Sequence, residues 1–336
     1  MSRQVRADLA LLFTVIIWGS TFVVVRDAVR AYPVFPFLAI RFTVAFLALL
    51  PLARNRRWAW GLTAWGPVRR RRLDLAAGVL VGLFLFTAYA TQTFGLLLST
   101  PTKTAFITGL SIVIVPLGAA LFLHRPPSRW VLAGVIVATI GLALLTLNEQ
   151  LRVGAGDLLV LMTAFSLAGH IIAVGRFAPD GDPLFLTLAQ LATVAVTSGA
   201  AAWLTGEWRA GMPSLFVFAA IVFTGVFATA FAFAAQTSAQ RFTTPTHTAL
   251  IFAGEPVFAA IFSYFVAGEM LGGRAVLGCT LILAGVLAAE LGDFVWAGLR
   301  RRVVSRVPVT ATDLGSPGGE TEAQGLLPGN ELLVRR

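Results

Sequence analysis

Charge is what this sequence has least of. Only 12% of its 336 residues are Asp, Glu, Lys or Arg, where a soluble globular domain carries about 25%. Cysteine is reduced to Cys279 alone, so no disulfide within the chain makes up for the missing surface charge. Histidine occurs three times, too few beside one cysteine for a clustered metal site. The phosphate-binding GxxxxGK[ST] loop, the zinc-binding HExxH pair and the GxSxG nucleophile elbow are missing as well. These absences predict a chain that is not an enzyme and holds no cofactor. What is present is apolar: 57% of the residues are hydrophobic and the mean hydropathy is +0.82. Disorder needs the opposite balance. An all-α integral membrane protein is the class left over, with the lipid bilayer as its first partner.

The net charge of +10 would point to nucleic acid in a soluble protein. Here the basic residues stand between apolar runs and are not interleaved with aromatics in one domain. We therefore expect no nucleic-acid partner and read them as determinants of topology.

A membrane helix takes about 20 mainly apolar residues. Ten windows reach or approach that length: 9–25, 34–52, 75–97, 102–123, 130–147, 157–174, 183–204, 214–237, 246–267 and 275–291. Their separators carry turn or charge signals, as in His124-Arg125-Pro126-Pro127, Asp180-Gly181-Asp182 and Gly272-Gly273. The first window follows Arg3 and Arg6 but is longer than a signal-peptide core and has no small-x-small cleavage site, so it is expected to remain as a helix. With the amino terminus inside, nineteen Arg fall in inside segments and six basic residues outside. That bias predicts a multi-pass plasma-membrane protein with both termini cytoplasmic. Residues 303–336 turn polar and rich in Gly, Pro and Glu, and are expected to form a disordered cytoplasmic tail.

The chain also repeats itself. Thr100-Pro101-Thr102-Lys103-Thr104-Ala105-Phe106-Ile107 recurs 144 residues later as Thr244-Pro245-Thr246-His247-Thr248-Ala249-Leu250-Ile251. At the same offset Gln92-Thr93 matches Gln236-Thr237, and Gly134 and Gly141 match Gly278 and Gly285; nearer the start, Asp8-Leu9 matches Asp157-Leu158 at an offset of 149. Each half, residues 8–147 and 157–291, holds five windows. An odd number of crossings reverses polarity, so the halves are expected to be inverted repeats about an axis in the membrane plane. Secondary transporters are built this way, with the substrate site near the midplane where the halves meet.

Three further stretches carry a family resemblance: Trp18-Gly19-Ser20-Thr21-Phe22, Arg41-Phe42, and Glu255-Pro256-Val257-Phe258-Ala259-Ala260 followed by Gly268-Glu269. Across residues 8–290 the chain resembles the EamA-like group of the drug/metabolite transporter superfamily. The resemblance implies a ten-helix fold with a central cavity and the export or exchange of metabolites; family substrates are diverse, so none is implied. One departure is that the second half reads Leu167-Ala168-Gly169-His170 where the first has its Trp-Gly-Ser run.

Ionisable groups inside a membrane are costly, and each is by default a functional candidate. Glu255 sits in the middle third of the ninth window, about 13 Å from Thr246 at the helical rise. Pro256 after it lacks an N–H, which frees the Phe252 carbonyl; Pro256 and Pro116 are the expected kinks. His170 lies deep in the sixth window, where imidazole can relay a proton or bind substrate. Lys103 (the only lysine) and His247 are repeat mates, expected near the mouths of one pathway or, for Lys103, snorkelling to the headgroups. Gln92 and Gln236 either face the cavity or tie helices together. Trp18 and Ser20 are candidates for substrate contact, while Arg41 is expected to snorkel outward or to pair with a carboxylate such as Asp27.

The function these residues suggest is secondary transport of a small molecule (an amino acid, sugar or organic anion) by alternating access, with proton coupling and a homodimer both allowed. A membrane-embedded enzyme acting on a lipid-linked substrate, or a non-transporting scaffold, are the alternatives.

Overall fold

The computed structural model describes residues 3–54, 68–98, 104, 107–124, 126–146, 154–267 and 272–304. Lys103, Gly268, Glu269 and residues 305–336 of the expected tail lie outside them. The helices are α1 (Arg3–Ala31), α2 (Val34–Arg54), α3 (Val68–Leu98), α4 (Ser111–Leu123), α5 (Arg129–Thr146), α6 (Ala155–Phe177), α7 (Pro183–Leu204), α8 (Leu215–Ala239), α9 (Pro245–Phe252), α10 (Glu255–Ala267) and α11 (Gly273–Val304). No β-strand occurs among the described residues. Met1–Asp293 form one compact unit; of the second, Phe294–Arg336, only the last turns of α11 are described.

Among the described residues, five helices, α2, α3, α6, α7 and α8, are long and apolar enough to cross a membrane. α1 makes a sixth when its pieces Arg3–Thr21 and Val24–Ala31, set at 46°, count as one crossing. Several helices overrun the apolar windows that predict them: α1 begins at Arg3 and α11 runs to Val304. Hydropathy marks the lipid-solvated part of a helix, whereas backbone hydrogen bonding continues into water.

Polar side chains set the ends. Asp182 accepts from the Leu184 and Phe185 amides (3.0 and 3.2 Å) and Pro183 opens α7; Thr244 and Pro245 start α9 the same way, the Thr244 hydroxyl accepting from His247 N at 3.2 Å. Burial pushes the Asp182 carboxyl above the usual carboxylate range, against the pull of its two amides. Asp182→Ala is expected to cost about 1 kcal/mol, read as a lower thermal midpoint in detergent. Asp182→Asn keeps an acceptor and drops the buried charge. It should match or exceed the native protein near neutral pH. That advantage should shrink as pH falls, because a raised carboxyl pKa means the folded state gains stability on protonation.

The interior inverts that of a soluble protein. Leu117, Phe122, Trp203 and Phe265 stand outward, 65–76% exposed, while Arg41, His170, Gln190, Gln236 and Gln240 are buried. The main core, Phe37, Phe42, Leu85, Leu191, Ile221 and Phe233 among others, lies where α2, α3, α7 and α8 meet. α5 and α11 cross through glycine: a Cβ on Gly134 would come within 2.5 Å of the Gly285 carbonyl, and one on Gly141 within 2.7 Å of that of Gly278.

Three irregularities shape the centre. The ninth window is two helices: α9 ends at Phe252, Ala253 and Gly254 turn, and α10 starts at Glu255. Pro256 has no N–H to return to Phe252, and the Val257 and Phe258 amides bond instead to Gly254 O at 3.0 and 3.3 Å. The fourth window breaks in the same register, turning at Leu110 before α4 begins at Ser111, 144 residues ahead of Glu255. α4 then runs through Pro116 without interruption. In α8, Thr224–Phe231 is wound as a π-helix, a form frequent at functional sites.

Candidate functional site

The break at Glu255 opens onto a cavity of about 80 Å³, and the π segment stands behind its Arg41 and Trp18. Trp18 and Thr21 of α1, Arg41 of α2, Tyr89 and Gln92 of α3, and Glu255 at the start of α10 supply its polar wall; Phe233 of α8 and Leu167 of α6 close it.

Arg41 is 3% exposed. Its Nε donates to Thr229 Oγ1 at 2.8 Å, and its guanidinium stands 5.1 Å from the centre of the Tyr89 ring. The Thr229 hydroxyl donates in turn to Thr224 O, five residues back along the π segment (3.0 Å). The outward snorkelling expected for Arg41 does not occur, and neither does pairing with Asp27, which is held by Arg26 at 3.2 Å. The Tyr89 face and the Thr229 hydroxyl give the guanidinium an inward home. The same π segment receives Trp18, whose Nε1 donates to Ala228 O at 2.8 Å while its ring packs on Phe233 and Phe252. Widening the helix by one residue per turn exposes carbonyls that an α-helix would keep bonded.

Glu255 reaches the cavity because α10 begins there. Among the described residues, no hydrogen bond or ion pair reaches its carboxylate. α1 presses on this turn through Gly19, where a Cβ would meet Ala259 N and Phe258 Cβ at 2.8 Å.

The other expected residues are distributed differently. Gln92 lines the cavity and its amide lies 3.5 Å from Thr108 Oγ1. Ser20 does not line it; its hydroxyl bonds back to Ile17 O at 2.7 Å, and Thr21 faces in instead. His170 sits behind Phe233, edge-on at 5.6 Å, with Nε2 2.8 Å from the Gln190 carbonyl oxygen; Gln190 Nε2 donates to Thr237 Oγ1 at 3.2 Å. Gln236 donates to Gln240 (3.0 Å), which donates to Ile171 O (2.9 Å). His247 stands toward the other end of α1, its Nδ1 2.8 Å from Thr243 Oγ1 and 3.9 Å from Asp8. Arg41, Tyr89, Thr21 and Phe233 were not selected from sequence for this wall.

A sequence profile of the EamA-like transporter family matches residues 5–147 and again 154–290. The chain belongs to this family. It is also similar, at 29% identity over 290 residues (86% of this chain and 87% of the relative), to a protein of Archaeoglobus fulgidus described as an uncharacterized transporter. A solved crystal structure shares the fold with a TM-score of 0.70 and 20% identity, covering 85% of this chain and 98% of the other.

In this EamA-like transporter the cavity residues keep the repeat spacings. Tyr89 and Phe233, 144 residues apart, both line the cavity and meet edge-on with ring centres 6.1 Å apart. Trp18 and Leu167, 149 apart, both line it. At the same two spacings, Thr21, Arg41 and Thr93 on the cavity correspond to His170, Gln190 and Thr237. Both sets are buried; what sets the second apart is that it is hydrogen-bonded to itself and lies off this cavity.

Proposed function

We propose that this membrane transporter is a secondary carrier of ten transmembrane helices, arranged as two inverted five-helix repeats (8–147 and 157–291), that moves a small metabolite by alternating access in export or exchange. The observation that carries the reading is the pairing just described. On one side of the Tyr89–Phe233 pair, Thr21, Arg41 and Thr93 line an open cavity; on the other, their spacing mates His170, Gln190 and Thr237 are closed on one another. In inverted repeats, exchanging the conformations of the halves opens the second set and closes the first. The two family matches, 5–147 and 154–290, support the same division, as do the helix breaks at Ser111 and Glu255. We read the chain as a multi-pass plasma-membrane protein, and the basic bias supports cytoplasmic termini.

Cysteine labelling tests this. On a Cys279→Ala background, Thr93→Cys should react with a membrane-impermeant maleimide from one face. Thr237→Cys should react only from the opposite face and only during turnover. A Thr237→Cys protein that transports without ever labelling would sink alternating access.

Among amino acids, sugars and organic anions, the cavity complements an amino acid best. Arg41 offers two-pronged donation to a carboxylate, Glu255 faces an ammonium, and Trp18, Tyr89 and Phe233 suit an apolar side chain. Thermal-shift screening against the three classes should single out amino acids, since a ligand that binds the folded state raises its stability. Substrate ammonium and proton then compete for one carboxylate, which couples them. Glu255→Gln is expected to flatten the pH dependence of transport in proteoliposomes; an unchanged profile removes the coupling.

A further inference from the structure

A second, larger cleft of about 560 Å³ lies away from the transport cavity, between the first turns of α1 and the end of α8. Its mouth carries Arg3, Arg6 and Arg241 with the Ser238 hydroxyl. Arg3 and Arg241 both stand over Phe242, 6.0 and 5.8 Å from the ring centre. No acidic residue lines the cleft. Among the described residues, no carboxylate is within ion-pair distance of the three arginines. The acids nearby are otherwise placed: Asp8 faces His247 at 3.9 Å, and Asp182 caps α7, where it feels Arg241 without bonding to it.

From this mouth an apolar seam runs along both helices. Ala7 and Ala10 of α1 face Ala235 and Ala239 of α8, small side chains that leave a groove. It leads to Phe13 and Phe231, edge-on at 5.5 Å and 52% and 42% exposed. From Arg3 to Phe13 the helix rises about 15 Å, close to the depth of one leaflet's hydrocarbon.

We propose that this cleft binds an anionic phospholipid, with its phosphate on Arg3, Arg6, Arg241 and Ser238 and an acyl chain along the alanine seam. A free phosphate would use the mouth alone. The seam, its length and its aromatic end favour lipid. A basic pocket between transmembrane helices at the headgroup level suits such a ligand. The lipid would bridge α1 and α8, the two helices joined by the Trp18–Ala228 hydrogen bond, and so hold this end of the molecule closed.

The test uses the full-length protein in mixed micelles containing dioleoyl-phosphatidylglycerol, dioleoyl-phosphatidylcholine, or inorganic phosphate without added lipid. Only phosphatidylglycerol should raise the thermal midpoint and appear as a retained adduct in native mass spectrometry. Arg6→Gln and Arg241→Gln should each weaken its half-saturation about fivefold. Ala10→Phe leaves every charge in place and should displace the adduct by filling the seam, which keeps the test valid if an arginine variant fails to fold. Equal stabilisation by phosphatidylcholine, full reproduction by inorganic phosphate, or an adduct untouched by Ala10→Phe each overturns the proposal.

Discussion

Arg41→Met is expected to stop transport while leaving the protein folded at least as stably as before. The guanidinium is buried against Thr229, to which its Nε donates, and against Tyr89, and no carboxylate is within ion-pair reach among the described residues. A buried charge held that way carries a desolvation penalty that its few contacts repay poorly, and a well-packed apolar replacement is often neutral or stabilising. We propose that a charged group held at such a cost serves a ligand. Losing a charge-assisted hydrogen bond to a substrate carboxylate costs about 1.5–3 kcal/mol, or about 10- to 150-fold in binding at 1.4 kcal/mol per decade. The prediction is a thermal midpoint equal to or above the native one in the absence of substrate, with loss of substrate-induced stabilisation and of uptake into proteoliposomes. A sharp fall in midpoint with transport intact would instead make Arg41 a structural tie between α2 and α8.

Gly19→Ala is the reverse case, a single methyl with a large structural effect. Its Cβ would sit 2.8 Å from a backbone nitrogen, Ala259 N, and from Phe258 Cβ, and 3.1 Å from Glu255 O. None of these is the free end of a flexible side chain, so α1 and α10 must separate. Overpacking of this kind typically costs about 1–3 kcal/mol. Because α10's first turn carries Glu255, transport should fall along with thermal stability. Ser20→Ala is the control. That hydroxyl bonds only within its own helix, and its removal should change stability by less than about 0.5 kcal/mol. Equal midpoints for the two variants would mean that the α1–α10 contact yields more easily than its geometry implies.

Much of this arrangement is written in the chain, and what is not has identifiable causes. Pro256 announces the break before Glu255 because a missing N–H is a property of one residue. The glycine face of α5 and α11 is legible because seven-residue spacing survives folding. Arg41 is harder: its position a few turns from one end of α2 fits snorkelling as well as burial. What decides is the Tyr89 ring and a hydroxyl 188 residues away. Ser20 and Thr21 exchange roles because one step along a helix turns a side chain by about 100°, finer than a motif can resolve. The π segment of α8 leaves no signature, since Thr224–Phe231 has a composition any apolar α-helix could carry. Tyr89 and Phe233 share the repeat spacing, but in a chain rich in phenylalanine neither stands out until the structure sets them edge-on against each other.

Ser111 and Glu255 occupy matching ends of broken helices, yet only one of them is ionisable, and Arg41 likewise has the neutral Gln190 at its spacing. The scaffold around the cavity therefore has a twofold character that its electric field does not share. A symmetric frame offers a dipolar guest two equivalent ways in; this field removes one, because turning the guest end for end sets each of its charges against a like charge on the wall. Such a guest would keep the same orientation throughout a passage, and its mirror image would present the third substituent to the wrong wall, so handedness of the cargo becomes a property that this single acid helps to select.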